Sequence, residues 1–133
     1  MAEVLEIGDA NGATLKTVAL DASGEWCLHW NHSVTGGPVA DCFEIRSGAM
    51  VLTRSYMHDY AAGLGDMPGR GVQRPAERGG YWIEQIDEAL PGNALSLRVG
   101  NSRVRHRVVH AGREIDLSAF AAGQRVTLRP RAQ

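Results

Sequence analysis

The 133-residue sequence predicts an all-β domain: a single β-sandwich or flattened barrel of about nine or ten short antiparallel strands. Three observations predict it. Apolar and polar residues alternate with period two along most of the chain. Turn signals rich in Gly, Asn, Asp and Pro recur at short spacing. Only "SAFAAG", residues 118–123, could form a helical turn.

The elements follow in order. "EVLEI" and "ATLKTVAL" read as strands around "GDANG", a turn ending in Asn-Gly. After "DASG", the stretch "EWCLHWNHS" puts Trp26, Leu28, Trp30 and His32 on one face, with Glu25, Cys27, His29 and Asn31 on the other. "PVADCFEIR" returns with Val39, Asp41, Phe43 and Ile45 on one face, and "SGA" turns into "MVLTRSYMH". Residues 58–80 hold eight glycines or prolines in 23 positions and read as one long loop, a length that in compact domains usually carries function or disorder. "YWIEQI", "ALSLRVG", "RVRHRVVH", "REIDL" and "QRVTLRP" supply the remaining strands. There is no internal repeat and no second domain.

A chain of this length buries roughly two-thirds of its unfolded surface, so its core needs neither a metal nor a disulfide as a staple. The net charge of −1 argues against general nucleic-acid binding. The charge is unevenly spread: residues 1–69 carry nine acids and three bases (−6), and residues 70–133 carry six acids and eleven bases (+5). The two halves then pack with complementary fields, or the C-terminal half presents an anion-binding or membrane-surface patch. Cys27 and Cys42 flank the glycine turn. A cross-strand disulfide is sterically conceivable, but two buried free thiols are the favoured reading. No signal peptide and no apolar run of spanning length is visible, so the sequence as given reads as cytoplasmic.

The polar residues on apolar faces are the candidate chemistry. His32 and Asp41 fall on the face that carries Trp26, Trp30, Phe43 and Ile45. Such a pair must be hydrogen-bonded, whether as a structural contact or as the lining of a pocket under the 58–80 loop. His29 and His32, three apart on a strand, point to opposite faces, and His106 and His110 lie two pleats apart. Neither pair suits a zinc site, which needs three or four converging ligands, and no cofactor is implied. Ser33 next to His32 cannot readily reach its imidazole, and no nucleophile elbow is present, so a hydrolytic or metal-dependent enzyme ranks last. Arg103, Arg105 and Arg107 alternate along "RVRHRVVH" as a basic stripe, ordinarily a solvated face. No interleaved aromatics offer a nucleic acid stacking platforms. "GLGDMPGRG" lacks the phosphate-loop pattern and no helix follows it.

"HWNHSVTGGPVADCFEI", "LTRSYMHDYAAGLG" and "LSLRVGNSRVRHRVV" resemble the small bacterial proteins of domain-of-unknown-function family 1850, from about residue 20 onward. Members are often encoded beside TRAP-type solute transporters of the TAXI class. The resemblance rests on His32, Ser33, Val34, Pro38, Val39 and Asp41, and on a second block at Tyr60, Ala61, Ala62, Gly63 and Leu64. Ala40 stands where the family pattern has a second acid, and Gly65 where it has proline. A leading apolar segment seen in many relatives is missing, so a periplasmic or membrane-associated location fits if such a segment was removed. The resemblance implies a non-enzymatic accessory or small-ligand-binding module linked to solute transport. His32, Ser33, Asp41, Tyr60, Gly63 and Leu64 are its candidate binding residues, and a small organic acid and a transporter subunit its candidate partners. The alternative is a protein–protein interaction domain that docks a membrane partner.

Overall fold

The computed structural model describes residues 3–58, 71–77 and 79–132. The strands among them are β1 (Glu3–Gly8), β2 (Thr14–Ala19), β3 (Glu25–Asn31), β4 (Pro38–Arg46), β5 (Ala49–Met57), β6 (Val72–Pro75), β7 (Tyr81–Glu84), β8 (Glu88–Ala89), β9 (Leu95–Arg98), β10 (Arg107–His110), β11 (Arg113–Asp116) and β12 (Arg125–Ala132). One α-helical turn, α1 (Ser118–Ala121), falls in "SAFAAG", and a 3₁₀ turn that the alternation does not predict spans Pro91–Asn93. The strands form two antiparallel sheets, as the alternation predicts. The smaller has the order β2-β1-β12-β9; the larger runs β11-β10-β3-β4-β5-β7-β6, with β8 on β5.

The sheets close on a core in which Leu5, Ile7, Val126 and Leu128 of the smaller meet Trp26, Leu28, Phe43 and Met50 of the larger. Trp26 stacks on Phe43 with ring centroids 4.6 Å apart. Burying side chains of this size contributes roughly 1.5–3 kcal/mol each. A second cluster, Val39, Met57, Tyr81 and Ile83, lies on the inner face where β4, β5 and β7 pair.

The pairing of β4 with β5 breaks register once. Cys42 faces Arg54, but Phe43 faces Leu52, which leaves Thr53 as an extra residue, a β-bulge. Thr53 Oγ1 donates to the Cys42 carbonyl at 3.1 Å, which holds the extra residue in place. The bulge reverses the alternation of β5. Met50 and Leu52 are buried before it, and Ser55 and Met57 after it, while Arg54 and Tyr56 turn to solvent.

Three expectations need correction. Cys27 and Cys42 are not free thiols but a disulfide; they lie directly opposite in the β3–β4 ladder with Cα atoms 4.0 Å apart, at the closely spaced kind of pair. Residues 103–106 of "RVRHRVVH" are not strand. Asn101 Oδ1 accepts from the backbone of Arg103 and Val104, and Arg105 sits at φ 49°, so the alternation there belongs to a turn. The segment 58–80 is not wholly loop, because β6 lies inside it and pairs with β7 just beyond.

Candidate functional site

Across the solvent face of the larger sheet, successive strands align Arg107, His29, Ala40, Tyr56, Trp82 and Arg74 in one cross-strand row. Ala40 is the one small side chain in that row. With His29 on one side and Tyr56 on the other, the missing bulk leaves a trough. The resulting groove encloses about 820 Å³ and is lined by His29, Pro38, Ala40, Tyr56, Trp82 and Arg74, with His58 and Glu77 at its margin. Strand pairing therefore produces this concavity, and the bulge at Thr53 is what brings Tyr56 to it.

The aromatic wall is fixed from several sides. Tyr56 and Trp82 meet at 5.2 Å between ring centroids, and the Arg54 guanidinium lies over Trp82 at 4.5 Å. Arg54 is itself tethered to Glu25 at 3.5 Å. The Tyr56 hydroxyl donates to the Gly79 carbonyl at 2.7 Å, which ties β5 to the β6–β7 turn. Arg74 is held by Glu84 at 2.8 Å. Burial lowers the pKa of His29, with Arg107 adding to the effect, so the groove holds a neutral imidazole at and above neutral pH.

The residues singled out by sequence go to different places. His32 closes the β3–β4 turn: its Nδ1 accepts from the backbone N–H groups of Val34 and Thr35, each at 3.2 Å. With Ser33 it lines a smaller cleft of about 270 Å³ beside Asn101 and Arg103. Asp41 lies four residues farther along the ladder, opposite Leu28, on the order of 13 Å of strand away. It accepts from Ser55 Oγ at 2.6 Å. The expected His32–Asp41 contact is thus corrected: the imidazole is spent on its own turn, and the carboxylate is met by a serine that the bulge turns inward. His32 and Ser33 come together; Asp41 does not join them. Tyr60, Gly63 and Leu64 lie outside the described residues. The basic stripe is also dismantled, because Glu114 lies within 2.6 Å of Arg105 and 3.8 Å of Arg107. Among the described residues no group of three His, Cys, Asp or Glu is placed to hold a metal ion.

The other histidines serve the scaffold. His110 Nε2 accepts from Asp21 N at 2.9 Å, and its Nδ1 lies 2.7 Å from the Glu25 carbonyl, so the Nδ1–H tautomer bridges the β2–β3 turn. Buried His106 accepts from Gly100 N at Nδ1, 2.8 Å away. Burial lowers its pKa, with Arg107 adding to the effect. The unfolded chain therefore binds the proton more readily. The stability that neutral His106 contributes is complete above about pH 6.5 and is lost as pH falls through the lower folded value. His106→Asn keeps an acceptor for Gly100 and removes the titration. Urea midpoints at pH 7 and pH 5 should therefore lie closer together in the variant than in the parent, and an unchanged gap would remove His106 from the account.

Fold and groove together define a class: a two-sheet antiparallel sandwich with a ligand-sized concavity on the solvent face of its larger sheet. Residues 27–117 match the model of the family described as Domain of unknown function (DUF1850), and the chain belongs to that family. No curated protein and no solved structure matches it. The groove escaped sequence reasoning because its residues come from five strands. The signal was present only as Ala40, read as a lost carboxylate rather than as missing bulk.

Proposed function

We propose that the chain is a non-enzymatic small-ligand-binding module whose site is the groove above Ala40, and that the ligand is a small organic acid with a planar apolar body. The observation that carries this is the coincidence, on a solvent-facing sheet surface, of a trough within the size range of ligand sites and a pinned aromatic wall beside a guanidinium. The Tyr56–Trp82 wall takes the apolar body. Arg74 offers a fork for the carboxylate, and His29 a neutral hydrogen-bonding group. The Cys27–Cys42 bond supports work in an oxidising compartment, since reducing cytosol opposes such bonds. The link to a TRAP-type solute transporter rests on the family resemblance, and an acid-binding groove gives that link a chemical content.

The test is a titration of the full chain with benzoate, indole-3-acetate and succinate, followed by tryptophan fluorescence and thermal melting. An aromatic acid at one hundred times its dissociation constant stabilises by about 2.7 kcal/mol. Ala40→Leu, which fills the trough, should abolish the shift; Trp82→Leu should weaken the aromatic acids more than succinate. If no acid shifts the melt, or Ala40→Leu binds as the parent does, the reading fails.

A further inference from the structure

A second surface stands out on the opposite side of the sandwich. The outward residues of β12 include Arg125, Arg129 and Arg131, and β9 contributes Arg98; all four are exposed. Arg98 and Arg125 lie directly opposite each other in the β9–β12 ladder. Like charges so placed destabilise a sheet, so the fold carries a cost here that a bound anion would relieve. Neither has a carboxylate within salt-bridge distance among the described residues. Arg98 instead donates to the Gly123 carbonyl at 2.8 Å, and Arg125 to Ser96 Oγ at 3.2 Å, contacts that hold the side chains in place and leave their charges uncompensated. Arg129 has no carboxylate within salt-bridge distance among the described residues, although Glu6 lies opposite it in the β1–β12 ladder. Glu6, bonded to Arg131 at 2.5 Å, is the acid facing this surface. Around the larger sheet most arginines are paired: Arg46, Arg54, Arg74, Arg105 and Arg107 each have a carboxylate within 4.0 Å, and among the described residues there only Arg103 and Arg113 have none.

We infer that this arginine face docks the domain on an anionic phospholipid surface. Between the arginines the outward positions are Ser96, Thr127, Gly8, Thr17, Ala19 and Val4, and Val4 is buried, so none of these positions exposes an aromatic or large aliphatic anchor of the sort that concentrates binding energy in protein interfaces. What the face offers is a flat array of guanidinium forks and hydroxyls. Such forks match phosphate oxygens two at a time, and a layer of phosphodiester headgroups presents those oxygens at high density without needing a complementary shape. The docking is electrostatic and shallow, with no segment inserted. It leaves the groove of the other sheet facing the aqueous side, and it neither requires nor is required by ligand binding there.

The experiment is co-sedimentation of the full chain with vesicles of phosphatidylglycerol and phosphatidylcholine at 3:7, beside pure phosphatidylcholine, in 50 and 300 mM NaCl. The chain should pellet with the anionic vesicles at low salt and be released at high salt. Each arginine near such a surface is worth about fivefold in affinity, so Arg98→Gln/Arg125→Gln should lose roughly 25-fold. Arg103→Gln/Arg113→Gln removes the same charge elsewhere and should stay within twofold. Circular dichroism melts establish that the variants fold, and Arg129→Gln alone serves if the double variant does not. Equal binding to neutral vesicles, equal loss in the two double variants, or a preference for polyglutamate over vesicles would overturn the inference. So would stabilisation by inorganic phosphate without vesicle binding, which would leave an ion site and no docking face.

Discussion

Gly80→Ala should lower stability by about 3–5 kcal/mol, combining left-handed backbone strain with overpacking against groups that cannot yield. Gly80 sits at φ +71°, and an added Cβ would lie 2.4 Å from the Met57 carbonyl oxygen and 2.7 Å from His58 Cα. Both are backbone atoms at the end of β5, so relief requires separating β5 from the β6–β7 turn. The Tyr56 hydroxyl would also be approached to 2.8 Å, which breaks its anchorage on Gly79. For a domain of this size the melting point should fall on the order of 10–20 °C. The surviving folded fraction should bind aromatic acids poorly. Gly12→Ala separates the two causes, since Gly12 shares a positive φ of +87° but has nothing within 4 Å of its added Cβ. It should cost only about 1 kcal/mol, from strain alone. Equal melts for the two variants would show that close approach at Gly80 contributes nothing.

Reducing the Cys27–Cys42 bond should cost about 2–4 kcal/mol while leaving the protein folded at room temperature. The bond closes a sequence separation of 15, so its loss frees the unfolded chain. The β3–β4 ladder, paired from Glu25↔Glu44 to Asn31↔Pro38, keeps the hairpin together in the folded state. Dithiothreitol should lower the melting point by roughly 5–15 °C. Cys27→Ala/Cys42→Ala should already melt at the lower temperature and ignore the reductant. Two titratable thiols in the denatured, unreduced protein would contradict the disulfide outright.

How far the sequence could be read follows from which interactions are local. "PVADCFEIR" is read correctly end to end as β4, because Val39 and Phe43 meet apolar partners on both neighbouring strands. "RVRHRVVH" fails in its first half, because an Asn101 side chain and a positive φ at Arg105 override an alternation that is equally good for either outcome. Strand β6 hides among glycines and prolines because it is an edge, with Pro75 at its end, and β8 is two residues long. The disulfide was legible as a geometric option and not as a choice, since free and bonded thiols are equally compatible with two facing cysteines. His32 and Asp41 were rightly marked as polar groups in need of partners. Their partners, a backbone turn and a serine redirected by a bulge, are set by register.

The extra residue at Thr53 divides β5 into two reading frames, one spelling the core from Met50 to Leu52 and the other spelling the groove wall from Arg54 to Tyr56. A spelling change in either frame stays in its frame. A change of length moves the boundary between the frames: deleting Thr53 would remove the bulge and leave Leu52 opposite Phe43 and Arg54 opposite Cys42 as successive pairs, with Tyr56 still on the groove face and Met57 still inside. Relatives that keep this groove can therefore drop the extra residue, provided that an aromatic side chain keeps the place opposite Ala40 and an apolar one the place opposite Val39.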